Sequence, residues 1–260
     1  PEDNLEFVRY HFLHSQRDVP ERGAKTEAMM NRMRHAAMVF GVTEQSQKLV
    51  EELYLEYLDA LNAHFESYPY LLGWRPCIGD FGLLAPMYAH LGRDPHPARL
   101  MQQRAPAVYR WVERMNREDQ DAPEFFNAGS DFLADDEGPD TLVEVLKILA
   151  EDFVPETLAA ADLINGWLDE HQPEAGSMAV GRLAEALGTA DFTVRGERIT
   201  ALAQPHRFYL LQRVHDAFAD FSQERRDEVS ALLEACGMAP IVTTALDRRM
   251  IRCNNLEVWQ

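Results

Sequence analysis

Apolar residues recur at three- and four-residue intervals along most of this chain, which commits it to amphipathic helices packed by their apolar sides. From Glu21 to Phe40 one side carries Met29, Met30, Met33, Ala37 and Phe40, and Gly41 follows as a C-terminal stop. Thr43 is placed to cap a second helix reaching about Glu66, whose stripe is Val50, Leu53, Tyr54, Tyr57, Leu58, Leu61 and Phe65. The two read as a long antiparallel pair. A third helix starts near Ile78 with Phe81, Leu84, Met87, Tyr88 and Leu91, and Pro86 inside it should bend it. A proline-rich connection, Asp94-Pro95-His96-Pro97, then leads to a helix over about 105–116 carrying Val108, Trp111, Val112 and Met115. Residues 117–138 are acidic and loop-like. Beyond them helices are expected near 139–152, 155–170, 206–221 and 223–236, with 171–188 irregular and the tail from Pro240 to Gln260 partly helical. Only Phe192–Thr200 reads as strand, and Gly196 marks the turn of a short hairpin there. The expected class is all-α, with at most that hairpin.

The formal charge of −18 repels phosphate backbones and anionic lipid. Arg225-Arg226 and Arg248-Arg249 are short pairs diluted by acidic neighbours, so neither nucleic acid nor a membrane surface is an expected partner. No apolar run approaches the roughly 18 residues of a membrane span, and no charged-then-apolar leader opens the chain. Cys77, Cys236 and Cys253 are an odd number at wide spacing, with no CxxC, which argues against a disulfide framework and suits a reducing cytoplasm. His11 and His14 could share a helix face, but without a third ligand no metal is expected. Asp119-x-Asp121 and Asp135-Asp136-Glu137 lack calcium-loop spacing and read as solvated loop charge. His215 and Asp216 are adjacent, so they cannot face one another on a helix, and no Ser or Cys nucleophile motif accompanies them.

The most informative segment is Tyr70-Leu71-Leu72-Gly73-Trp74-Arg75-Pro76-Cys77-Ile78-Gly79-Asp80-Phe81-Gly82-Leu83. Asp80 lies three residues after a helix cap at Cys77. There its carboxylate can reach back to a backbone N–H, as in one half of a capping box, and place negative charge at the positive end of the helix dipole. Pro76 and Phe81 occupy the positions of a hydrophobic staple. A thiol is a weaker acceptor than a hydroxyl, so Asp80 should carry most of the cap, and its loss should cost about 1–2 kcal/mol.

This loop and capped helix resemble the C-terminal domain of glutathione transferases. The family pattern is an aromatic-Leu-x-Gly loop, then Ser or Thr, two residues, and Asp; Cys77 replaces the hydroxyl residue. The preceding helix pair and Ala105-Pro106-x-Val108-x-x-Trp111 fit the same domain, so the resemblance runs from about Gly23 to Asn116. Less specifically, Phe192-Thr193-Val194, Pro205-x-x-x-Tyr209-x-Leu211-Gln212-Arg213 and the stretch from Arg248-Arg249 to Asn254-Asn255 resemble an extension in some bacterial glutathione-transferase-like proteins.

The resemblance implies a linker over 1–20, a helical bundle over 21–116, a connecting loop over 117–138 and a helical extension over 139–260. It also implies glutathione as co-substrate, held and activated by an N-terminal thioredoxin-like domain whose βαβ pattern has no counterpart in these residues. No catalytic or glutathione-binding residue is therefore expected within this chain, which alone should be inactive. The implied partners are that domain, a small hydrophobic electrophile and a second copy in a homodimer. By position, Met30, Met33, Arg34 and Phe40 are candidates for the electrophile pocket. The alternative is that the methionines fill the helix-pair core and Arg34 is a solvated charge. The same fold also serves as a non-catalytic binding or assembly module, and fold does not decide between the two.

Overall fold

The computed structural model of the protein describes residues 2–118, 121–126, 129–181 and 185–260. Among these are ten α-helices and two separate antiparallel hairpins, so the fold is mostly helical rather than strictly all-α. Asp119 and residues 182–184 lie outside the described residues.

The bounds of the second and third helices follow the apolar spacing. α1 (Glu2–Ser15) occupies most of the stretch expected to be a linker, and none of its residues is buried. α2 (Arg22–Val39) buries only Thr26 and Met30. It ends in a Schellman arrangement: Gly41 has φ 89°, Gly41 N–H donates to Met38 O, and Val42 N–H donates to Ala37 O. Thr43 and Ser46 exchange backbone-to-hydroxyl bonds ahead of α3 (Gln47–Ser67), whose Leu58, Leu61 and Phe65 are fully or almost fully buried.

Proline acts differently at each place it occurs. α4 (Ile78–Pro86) takes Pro86 at its end, and the chain continues as a π-helical turn over Met87–Leu91. That is a local answer to the missing N–H. Asp94-Pro95-His96-Pro97, expected as a connection, instead opens α5 (Pro95–Arg104) with Asp94 as cap. Prolines in a first turn remove only donors that have no helical acceptor. α6 (Pro106–Met115) starts the same way. α7 (Asp140–His171) is one helix where two were expected, with Pro155 inside. Val145, Ala150, Val154, Ala161, Ile164 and Leu168 stay buried and in phase on both sides of the proline, so packing holds the two halves in register.

The remaining elements are β1 (Gly188–Val194), β2 (Glu197–Ala203), α8 (Pro205–Ala219), α9 (Gln223–Ala235), α10 (Pro240–Thr243), β3 (Met250–Cys253) and β4 (Leu256–Trp259). β1 and β2 pair antiparallel from Gly188↔Ala203 to Val194↔Glu197. Arg195 (φ 48°) and Gly196 (φ 86°) form their two-residue turn. The second hairpin falls in the tail expected to be partly helical, and Asn254 (φ 51°) and Asn255 (φ 63°) turn it. Two positive φ values in succession match the twist of paired strands, and asparagine tolerates them better than most residues.

The chain divides into two compact units, residues 1–36 with 51–145, and residues 37–50 with 146–260. One of the divisions falls inside α7. Trp74 N–H donates to Asp131 O and Leu133 N–H donates to Leu72 O, both within the first unit. The first unit has Leu58, Leu61, Phe65, Met87, Met101, Val108 and Trp111 in its core. In the second, Trp259 is fully buried beside Trp167 and Phe208, with ring centroids 6.1 and 6.2 Å away.

Candidate functional site

The chemistry-bearing side chains of the first unit gather around the start of α4. Cys77 is its cap, in extended backbone, with its sulfur facing the Asp80 N–H. Asp80 is completely buried. Its Oδ2 accepts Cys77 N–H at 2.9 Å, while Oδ1 accepts Leu71 N–H at 3.2 Å and Trp111 Nε1–H at 2.9 Å. One carboxylate therefore joins the 70–73 loop, the start of α4 and the middle of α6. Burial raises the Cys77 thiol's pKa above its ordinary value, Asp80 adding a smaller push, which disfavours the thiolate that nucleophilic chemistry needs.

The segments carrying these groups are held by their own sequence. Ala105, Val108 and Trp111 are fully buried, so the Ala-Pro-x-Val-x-x-Trp spacing aligns one face of α6. Trp111 stacks on Phe65 of α3 at a centroid distance of 5.0 Å and 10° between planes. Gly73 has φ 113° and bridges both Tyr70 and Phe132; a Cβ there would lie 2.8 Å from Leu133 N. Glycine is required by both the dihedral and the close approach.

Two buried polar residues join this arrangement without having stood out in the sequence. His64 has no exposed surface and sits between Tyr70 O (Nε2, 3.3 Å) and Thr141 Oγ1 (Nδ1, 2.9 Å). A carbonyl only accepts, so Nε2 carries the proton of the neutral ring, and Nδ1 accepts from the Thr141 hydroxyl. Burial lowers the His64 pKa; the Tyr70 carbonyl and the Asp80 charge oppose this less strongly. The signal was present in the sequence: position 64 lies in phase with the buried stripe of α3.

Arg114 is 3% exposed. Its Nε–H and an Nη2–H donate to Pro69 O at 3.3 and 3.0 Å, and Nη1 is bonded to Glu124. The guanidinium lies 5.6 Å from the ring centroids of both Tyr70 and Phe125. Open clefts of about 480 and 450 Å³ meet at Arg114 and Arg117.

The four residues proposed for an electrophile pocket are not gathered at this site. Met30 is buried, Met33 and Phe40 are exposed, and Arg34 Nη1–H donates to Asn31 Oδ1 at 2.8 Å on the surface of α2. None of the four lines either cleft at Arg114. His11 Nδ1 meets Phe7 O, and His14 Nδ1 accepts from Arg22. No group of three His, Cys, Asp or Glu side chains is arranged to hold a metal among the described residues, and none of their helices is long and apolar enough to cross a membrane.

Residues 26–119 match the family described as Glutathione S-transferase, C-terminal domain. No curated protein and no solved structure matches the chain. The matched segment contains most of α2, then α3, the glycine loop, the Asp80 cap and the Trp111 helix. Residues 26–119 are thus a helical domain of the glutathione S-transferase C-terminal type.

Proposed function

We propose that this domain is the electrophile-binding half of a glutathione-transferase-like protein, with glutathione held and activated by a thioredoxin-like domain outside these 260 residues. The family match over 26–119 carries this reading. Two features support it. Strands among the described residues pair only as antiparallel hairpins, whereas a thioredoxin-like domain needs parallel βαβ pairing. Met33 leaves apolar surface open on α2, where a hydrophobic electrophile would find it. Cys77, Cys236 and Cys253 form no disulfide, which fits a reducing cytoplasm.

The test pairs turnover with binding, using 1-chloro-2,4-dinitrobenzene as electrophile and the purified chain. The chain alone is expected to show no conjugation of glutathione. It should bind the aryl halide saturably, and Met33→Ser should weaken that binding about threefold or more, as loss of buried apolar contact requires. Turnover by the chain alone contradicts the proposed division of labour. Absence of binding favours a non-catalytic assembly module instead.

A further inference from the structure

The clefts around Arg114 form a site that the electrophile reading does not use. Arg110 and Arg114 fall at i and i+4 on α6, and Arg117 follows just beyond its end at Met115. In a chain of net charge −18, three guanidinium groups line one concavity. Arg114 is nearly buried, and its bonds to Pro69 O and Glu124 occupy three of its five N–H donors; the other two meet no acceptor among the described residues. Among the described residues Arg117 is paired with Asp121, both about half exposed, and such surface pairs are weak and easily exchanged. Arg110 is exposed.

The second cleft supplies a different chemistry against the same two arginines. Its walls include Tyr70, Pro76, Phe81 and Met115. Phe81 is 60% exposed although it lies on α4, where every other outward position is also small or apolar. Aromatic and proline faces beside a guanidinium suit a flat ring, which can stack while its substituent meets the N–H groups. Glu113, Glu118 and Glu124 line the same concavities and limit how much negative charge a ligand can bring. A dianion such as a phosphate monoester is disfavoured by these carboxylates. A single carboxylate can be met by Arg114 and Arg110.

We infer that the concavity around Arg110, Arg114 and Arg117, walled by Tyr70, Pro76, Phe81 and Met115, binds an aromatic monocarboxylate. Volumes of about 480 and 450 Å³ for the two lobes lie within the usual range of small-molecule sites and admit a two-ring ligand.

Isothermal titration of the purified chain with 2-naphthoate, its neutral counterpart 2-naphthamide and 2-naphthyl phosphate tests this directly. Saturable binding of the naphthoate is expected, with the amide and the phosphate each weaker by about tenfold, the worth of one charge-assisted contact. Arg110→Ala should weaken naphthoate binding by about tenfold and bring it to the level of the amide, with an unchanged far-ultraviolet circular dichroism spectrum. Phe81→Ala should weaken the naphthoate and the amide by the same factor, since the ring acts on the apolar body alone. No saturable naphthoate binding, equal binding of the amide or tighter binding of the phosphate overturns the assignment. So does an Arg110→Ala variant that is folded and binds naphthoate as the parent does. The ligand comparison needs no substitution, so the proposal stays testable if a variant fails to fold.

Discussion

His64 is a buried core residue whose ring is held neutral to lower pH than an ordinary histidine's. In the folded chain the neutral ring bridges Tyr70 O and Thr141 Oγ1, and burial holds its pKa below the ordinary value of 6.5. The unfolded chain therefore binds a proton before the folded chain does. Stability from this residue is present above about pH 6.5 and is lost as pH falls from there toward the lowered folded value. Urea unfolding of the parent should weaken over that interval. His64→Gln, which can keep the bond to Tyr70 O but does not titrate, should show a shallower slope; equal slopes would remove His64 as the cause. The spacing of Asp80 from Cys77 was readable because a capping box is local. Its bond to Trp111 was not, since that partner is 31 residues along the chain and nothing in periodicity names a long-range acceptor. Likewise Arg114 follows Trp111 by three residues, yet its acceptors Pro69 O and Glu124 belong to segments that only folding brings near.

At the level of elements, proline was the main source of misreading. The helices expected near 139–152 and 155–170 are one α7 with Pro155 inside it, and Pro95 and Pro97, expected in a connection, start α5. The same ring stops or starts a helix according to position, and burial of the flanking stripe decides which. The second hairpin was hidden because its strands are four residues each, too short for alternation to speak. Its docking onto α8 explains part of the Pro205-x-x-x-Tyr209-x-Leu211-Gln212-Arg213 pattern. The buried Gln212 accepts Met250 N–H at Oε1 (2.7 Å) and donates from Nε2 to Met250 O (3.0 Å), standing in for a neighbouring strand. Arg249 adds a two-bond pair with Asp216. Gln212→Leu should leave both Met250 backbone groups unpaired and cost about 2–3 kcal/mol. Hydrogen exchange at Met250 should accelerate accordingly, whereas unchanged exchange there would show that the side chain does not hold the strand.

For the whole molecule, each unit has its own core, and elements such as α7 run through the boundary. Composition changes in the acidic stretch 117–138, but composition does not name the backbone bonds by which Asp131 and Leu133 meet the glycine loop. Net charge and the lack of long apolar runs were readable from composition; the convergence of three arginines on one cleft was not, because they are dispersed among acidic neighbours in sequence. What ties the glycine loop, α4 and α6 of the first unit together is the single carboxylate of Asp80, through three N–H donors. The cap estimate of about 1–2 kcal/mol covers only the Cys77 bond. Removing the side chain also leaves the buried Trp111 donor and the part-buried Leu71 donor without their acceptor, which raises the expected cost to about 3–5 kcal/mol. Urea unfolding of Asp80→Ala beside the parent, followed by circular dichroism, reads this directly. A loss of about 3 kcal/mol or more is the predicted result. A variant within about 0.5 kcal/mol of the parent would mean that Asp80 does not hold these three elements together.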